Sequence, residues 1–386
     1  GRGSDILDFS PEGKFYYDPL CGFDFLKKLS QFAESILEVV PEEGERYWQH
    51  TLRKRITCVL EYVLFKYDTP CFEDFLNEIF NFLSRTNEFL YEIGKFELAI
   101  EDILSKNREH RIEYENLKRR LERLRGVFLE WQSLDSRTKS NETSTISNLL
   151  SAFTNPSVEG LLTKRKDRLD LDGIVEGGKI AVVSFPACVD GFSAAVVAKL
   201  LKGGYYRAIQ KRQGFKRLAG IIMDEYPLVA SCGRFGDGIN LQTIRSKGGF
   251  VVAATQGLVS LDMAVGRANR EQLMLNFNNR FIFRSEEREV KALVDEMDLF
   301  STGSSVGFFP NGLERVPLNV DEFPTGYAVI KLANGFKTKS PVQLERLFIK
   351  SPSSQQPENN DPLRNCMDKL RSVANSVSLY DFTEER

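Results

Sequence analysis

Between residues 179 and 284 four short runs, KIAVVSF (179–185), LAGIIMDEY (218–226), GFVVAAT (249–255) and NRFIFR (279–284), are rich in β-branched or aromatic residues and are separated by stretches of helical spacing. Strands that alternate with helices pair in parallel, because each crossover returns the chain to the same end of the sheet. A sheet built this way is covered by helices on both faces. This half of the chain therefore reads as an α/β unit with a parallel sheet. GYAVIKLANGF (326–336) adds a strand and a turn at the sheet edge.

The preceding sequence has a different texture. FYYDPL reads as a short strand and turn, and FDFLKKLSQFAESILEVV as a helix from its apolar spacing. From about residue 45 to 163 the pattern is helical almost throughout. Tyr114, Leu117, Leu121, Leu124, Phe128 and Trp131 recur at threes and fours, with charges on the opposite side. That stripe spans fewer than three heptads, so it reads as one core-facing side of a helix rather than a dimerising coiled coil. A polar cluster, DSRTKSNETS, precedes TISNLLSAFTNPSVEGLL, which reads as a further helix with Pro156 near its end. Near the C-terminus SPSSQQPENNDP (351–362) has the composition of a flexible linker, and Leu363, Met367, Leu370, Val373 and Val377 after it keep the spacing of an amphipathic helix. The expected division is 1–44, an N-terminal remnant of the sheet domain; 45–163, an all-α domain; 164–347, the sheet domain; and 348–386, linker and tail.

Composition removes several classes of function. Lys and Arg total 52 against 54 Asp and Glu, so no global charge points to nucleic acid. The six cysteines are scattered without a C-x-x-C pair, and only two histidines, His50 and His110, are present to complete a metal site. Reduced thiols in a cytoplasmic setting are the expectation. No apolar run has the length of a membrane helix. The opening GRGS reads as a cloning remnant, which places the natural start upstream.

The candidate chemistry lies at strand ends. AGIIMDEYPLVA stops at Asp224 and Glu225, and an unpaired carboxylate is costly to bury, so such a pair faces solvent or a cation. Nucleotide hydrolases use this arrangement: the Asp holds the shell of a magnesium ion and the Glu orients or deprotonates the attacking water. The alternative is an acid pair that caps the following turn. Gln256 ends the next strand, where an amide can sense a γ-phosphate, place a water, or simply bond a loop. Arg245, in TIRSKGGF just before that strand, is suited to a phosphate across a subunit interface, or is a surface arginine. A phosphate loop, G-x-x-x-x-G-K-[ST], would complete such a site. GIVEGGKI (173–180) has Gly173, Gly178 and Lys179 in place, but Ile180 replaces the hydroxyl and a strand follows, so it reads as a turn. Arg207, Lys211, Arg212, Lys216 and Arg217 form a basic run without an acid; they are candidates for contact with nucleic-acid phosphates, or a solvated helix face.

Taken in order, GIIMDEYPLVA, IRSKGGFVVAATQG and NFNNRFIFRSEERE, preceded by SNLLSAFTNPSVEGLL and GGKIAVVSFP, make the chain resemble the TraG/TraD-like coupling ATPases of conjugation and type IV secretion, members of the FtsK and HerA group of RecA-like motors. The resemblance covers roughly residues 15 to 345. It implies a RecA-like parallel sheet interrupted by an all-α domain, with ATP and Mg²⁺ as cofactors in the full-length protein. Asp224 would hold Mg²⁺ through water, Glu225 would be the base, Gln256 the sensor, and Arg245 would reach a neighbour's nucleotide in a homo-hexameric ring. It further implies DNA or secreted proteins as cargo, channel components as partners, a small adaptor at the C-terminal tail, and a cytoplasmic domain anchored in the bacterial inner membrane. The family's phosphate loop and membrane helices precede the region matched here, so the chain alone is expected to hydrolyse no ATP. An inactive RecA-like scaffold that binds substrates or adaptors is the alternative.

Overall fold

The computed structural model describes residues 5–21, 25–39, 46–106, 111–164, 167–185, 189–233, 236–295, 320–323, 327–333 and 342–343. The expected linker and C-terminal amphipathic helix lie outside these residues, as do Cys188, Cys366 and His110.

Strand β1 (Ile6–Phe9) and the short β2 (Phe15–Tyr16) lead into helix α1 (Phe25–Val39). Five helices follow: α2 (Arg46–Lys66), α3 (Phe72–Ser84), α4 (Thr86–Lys106), α5 (Arg111–Ser133) and α6 (Ser136–Thr154). On α5 the sequence stripe faces inward, with Leu121, Leu124, Phe128 and Trp131 buried. Helix α6 starts earlier than its apolar pattern suggests. Asp135 caps it, accepting from Arg137 N and Thr138 N at 3.0 Å each. The inward positions of α6 run Glu142, Ile146, Leu149 or Leu150, Phe153, so the first core-facing residue of the helix is an acid. Buried Glu142 accepts from the equally buried Arg55 of α2 at 3.1 Å, which is why a polar stretch can turn its face to the core. The main core joins these helices to Phe9, Tyr17, Leu161 and the first half of α8.

The α/β half continues through β3 (Asp167–Arg168), α7 (Leu171–Gly177), β4 (Ile180–Val183), α8 (Gly191–Gln210), β5 (Ala219–Met223), α9 (Tyr226–Val229), α10 (Asp237–Thr243) with a 3₁₀ turn at Ile244–Lys247, β6 (Gly249–Ala253), α11 (Leu258–Val265), α12 (Arg267–Asn276) and β7 (Arg280–Ile282). Helix α13 (Arg288–Asp295), β8 (Tyr327–Lys331) and β9 (Val342–Gln343) follow. Parallel pairing occurs as expected, in separate ladders: β1 with β4, β2 with β3, and β5 with β6. NRFIFR differs, since β7 pairs antiparallel with β8.

One face of the β5–β6 pair is covered. Ile221 and Val251 pack on Val175, Tyr206, Ile209 and Ile244, and Met223 on Tyr226, Leu261 and Leu273. The other face is exposed. Its four positions are Gly220 and Ile222 on β5, in register with Phe250 and Val252 on β6. Gly220 leaves room there for the Phe250 ring: a Cβ would lie 2.2 Å from it, so a larger residue would displace the ring from the space above the glycine. The two-sided cover expected of a parallel sheet is therefore found on one side only among the described residues.

Candidate active site

The in-register pairing of Ala219 with Gly249 through Met223 with Ala253 brings the carboxyl ends of β5 and β6 side by side. Backbone bonds extend the match past the strands: Ala254 N donates to Met223 O at 2.9 Å and Tyr226 N to Ala254 O at 2.8 Å. Asp224 and Glu225 are exposed on this edge, as is Gln256. The Gln256 side-chain amide donates to Glu225 Oε1 at 2.6 Å, so two residues that the sequence separates by a whole crossover form one pair. Asp224 Oδ1 accepts from Glu225 N at 3.1 Å.

Glu225 is strained. Its φ of 49° and ψ of 50° place it in the left-handed region, and it is the one non-glycine residue with positive φ among the described residues. A side chain in that region costs about 1–2 kcal/mol, and the surroundings must hold it there. Tyr226, the next residue, is buried, and its hydroxyl donates to Asp237 Oδ2 at 2.9 Å. Asp237 is 0% exposed and also accepts from Lys202 Nζ at 2.6 Å, Tyr206 hydroxyl at 2.8 Å and Ser231 N at 3.0 Å. Burial pushes the Tyr226 phenol well up from its ordinary value, and Asp237 adds to the effect. Burial pulls the Lys202 ammonium down, against the opposing pull of Asp237. The sequence reading missed this cluster. Its signal, an Asp twelve residues past Glu225, has meaning only once α8, α9 and α10 converge.

An open depression of about 510 Å³ adjoins the pair, lined by Gln256, Arg284, Ser285, Glu286 and Glu287. Glu287 accepts from Leu258 N at 2.7 Å, holding the amino end of α11. Arg284 is exposed just beyond β7, a polar residue after a strand, which is the signal that singled out Gln256. A larger depression of about 670 Å³ lies along α5 and contains none of the candidate residues.

Arg245 does not join this group. It sits before the amino end of β6, and five strand residues at about 3.3 Å each separate it from the Gln256 end. GIVEGGKI is the end of α7. Gly178 takes φ 69° as its left-handed cap, and Lys179 leads directly into β4. A phosphate loop runs from strand to helix and aims amides at the anion; this segment runs from helix to strand.

The basic run is largely occupied by protein partners. Arg212 is buried and donates to Glu176 at 3.2 Å, to Lys247 O at 3.2 Å and to Arg217 O at 2.8 Å. Arg207 donates to Tyr17 hydroxyl at 3.4 Å, Lys211 pairs with Asp172 at 2.9 Å, and Arg217 donates to Gly177 O at 3.1 Å. Lys216 is exposed.

The donor set fits a magnesium nucleotide in one respect. Mg²⁺ takes one or two carboxylates and completes its shell with water and phosphate oxygens, and Asp224 is an exposed carboxylate at a strand end. No group of three or more Asp, Glu, His or Cys residues suited to a metal occurs among the described residues, so a cage made by protein alone is not offered. None of the described helices is long and apolar enough to cross a membrane.

No protein-family model and no curated protein matches the sequence. Solved structures do. The chain is similar to the bacterial conjugative coupling protein TrwBdeltaN70 in its unbound monoclinic form, with a TM-score of 0.59 and 14% identity over 90% of this chain and 75% of that one. It is also similar to TrwB in complex with the non-hydrolysable ATP analogue ADPNP (TM-score 0.56, 15% identity, 90% and 76% covered) and with ADP and Mg²⁺ (TM-score 0.55, 15% identity, 90% and 76% covered). The fold is thus the one seen in conjugative coupling proteins.

Proposed function

We propose that this chain is the nucleotide-hydrolysing portion of a coupling protein that recruits DNA or protein and drives it into a type IV secretion channel. The observation that carries the reading is the Glu225–Gln256 hydrogen bond across the carboxyl ends of two parallel strands, in a fold shared with a protein that has been crystallised with ADPNP and with ADP and Mg²⁺. In this reading Glu225 takes the proton of the attacking water. Gln256 fixes the direction of that carboxylate and presents the rest of its amide to the γ-phosphate. Asp224 would hold Mg²⁺ through water; bound with the nucleotide, the ion neutralises charge on the phosphates. Arg245 lies too far along β6 to act on this site. In this reading it serves the site of an adjacent subunit in a ring, a homo-hexamer in the case implied by the resemblance. The ring, the channel partners, an adaptor at the tail and an inner-membrane anchor are parts of the same proposal.

ATP hydrolysis by the complete gene product, in three forms, tests it. Glu225→Gln is predicted to bind ATP normally and to lose roughly two to four orders of magnitude in turnover. Arg245→Ala is predicted to lose about three orders of magnitude, because a cation in trans stabilises the transferring phosphoryl group. Mixing the two variants should return some activity through composite sites. Near-normal turnover by Glu225→Gln would leave a turn-capping acid, and an inactive wild-type protein would favour a scaffold that binds substrates.

A further inference from the structure

The cluster centred on Asp237 lies beneath the acid pair, and its four donors come from three different stretches of chain. Lys202 and Tyr206 are on α8, Tyr226 opens α9, and Ser231 follows it. Only Tyr226 is covalently joined to Glu225. Tyr226 is held twice: its amide by Ala254 O on the sheet side, and its hydroxyl by Asp237 on the helix side. Met223 is fixed on the other flank by Ala254 N. With Met223 and Tyr226 anchored, Asp224 and Glu225 must complete the turn between them, and Glu225 does so with φ 49°. That conformation carries its carboxylate over the end of β6 to Gln256.

We propose that Asp237 and the Tyr226 hydroxyl are positioning residues: their buried hydrogen bond keeps Glu225 in the left-handed conformation that aims its carboxylate at Gln256. The inference deepens the hydrolase reading and rests on it for its kinetic consequence, but its structural half stands by itself. Two features separate it from ordinary core packing. The strain falls on an exposed residue, where nothing about packing requires it. And the four donors to Asp237 are not equivalent. Tyr226, Lys202 and Ser231 share Oδ2, whereas Tyr206 bonds Oδ1. Removing the Tyr226 hydroxyl therefore leaves Oδ2 with two donors, while removing the Tyr206 hydroxyl takes away the bond recorded to Oδ1. If the cluster served stability alone, Tyr206→Phe would be the more harmful change.

The test compares Tyr226→Phe with Tyr206→Phe. In the complete gene product, Tyr226→Phe should lower kcat by about ten- to a hundredfold, the scale of a small misplacement of a reacting group, with KM for ATP and the affinity for ADPNP little changed. Tyr206→Phe should leave kcat within about twofold while lowering Tm at least as much. In the 386-residue chain, the side-chain amide resonances of Gln256 give a reading that needs no hydrolysis: Tyr226→Phe should shift them and Tyr206→Phe should not. Equal losses of kcat in the two variants, or Gln256 resonances that respond to neither, would overturn the inference. If the wild-type product hydrolyses no ATP, the hydrolase reading falls and the amide resonances alone decide the positioning role.

Discussion

Phe82 and Phe250 are the same residue in regular secondary structure, one on α3 and one on β6, yet the first is 0% exposed and the second 43%. Phe82 meets Phe128 edge-on with centroids 5.0 Å apart, and Phe89 at 6.1 Å and Trp131 at 5.1 Å complete its surroundings. Phe250 has the flat space over Gly220 and, with Val252 and Ile222, an open face. The aromatic cluster around Phe82 is thus enclosed, whereas the β5–β6 pair carries hydrophobic residues on one side that the described residues leave in contact with solvent. Hydrophobic residues in the two regions therefore report different things. In the enclosed aromatic cluster they report folding energy; on the open strand face they report a surface.

Substitutions that break or sharpen this contrast differ in expected size. Phe82→Ala removes a ring from a closed aromatic cluster and should destabilise the protein by about 3–5 kcal/mol, measured as a lowered urea midpoint. A loss below about 1 kcal/mol would mean that the helical core is looser than its ring contacts indicate. Gly178→Ala tests a turn within the α/β half, where α7 leads into β4: a Cβ at φ 69° should cost about 1–2 kcal/mol without altering nucleotide affinity. A large loss of ATP affinity with unchanged stability would return GIVEGGKI to the nucleotide site. Ile222→Ala, at 79% exposure, should shift stability by less than about 0.5 kcal/mol. A cost of several kcal/mol there would show that the face is buried in solution and would erase the contrast.

Much of this arrangement was legible in the sequence because it rests on local pattern. Apolar runs ending in Asp224-Glu225 and Gln256 read as strands with polar tips, and the stripe from Tyr114 to Trp131 read as a core face. Reading failed where a partner came from far away. The inward face of α6 begins with Glu142, whose place in the core depends on Arg55, so the helix looked polar at its start. The run from Arg207 to Arg217 read either as a candidate phosphate contact or as a solvated helix face, and neither reading shows its partners Asp172, Glu176 and Gly177 O, which lie well upstream on α7. The Asp237 cluster was invisible for the same reason. A buried carboxylate is recognisable only by its donors, and Lys202, Tyr206 and Tyr226 are not neighbours in the chain.

The pairing of β1 with β4 sets Ile6 beside Ile180, so every residue of the helical block lies inside the loop that this ladder closes. The β5–β6 ladder closes a far shorter loop, through α9 and α10. Closure entropy grows slowly with length, but a long unstructured loop must still be gathered before its end contacts repay the cost. A compact helical block shortens the effective loop, so the order of events in time should run from block to edge strand. Pulse-labelled amide exchange during refolding should find α3 and α6 protected before β1; protection of β1 at the same instant would contradict that order. The edge strand is in this sense a latch, which engages only after the part it encloses has already taken shape.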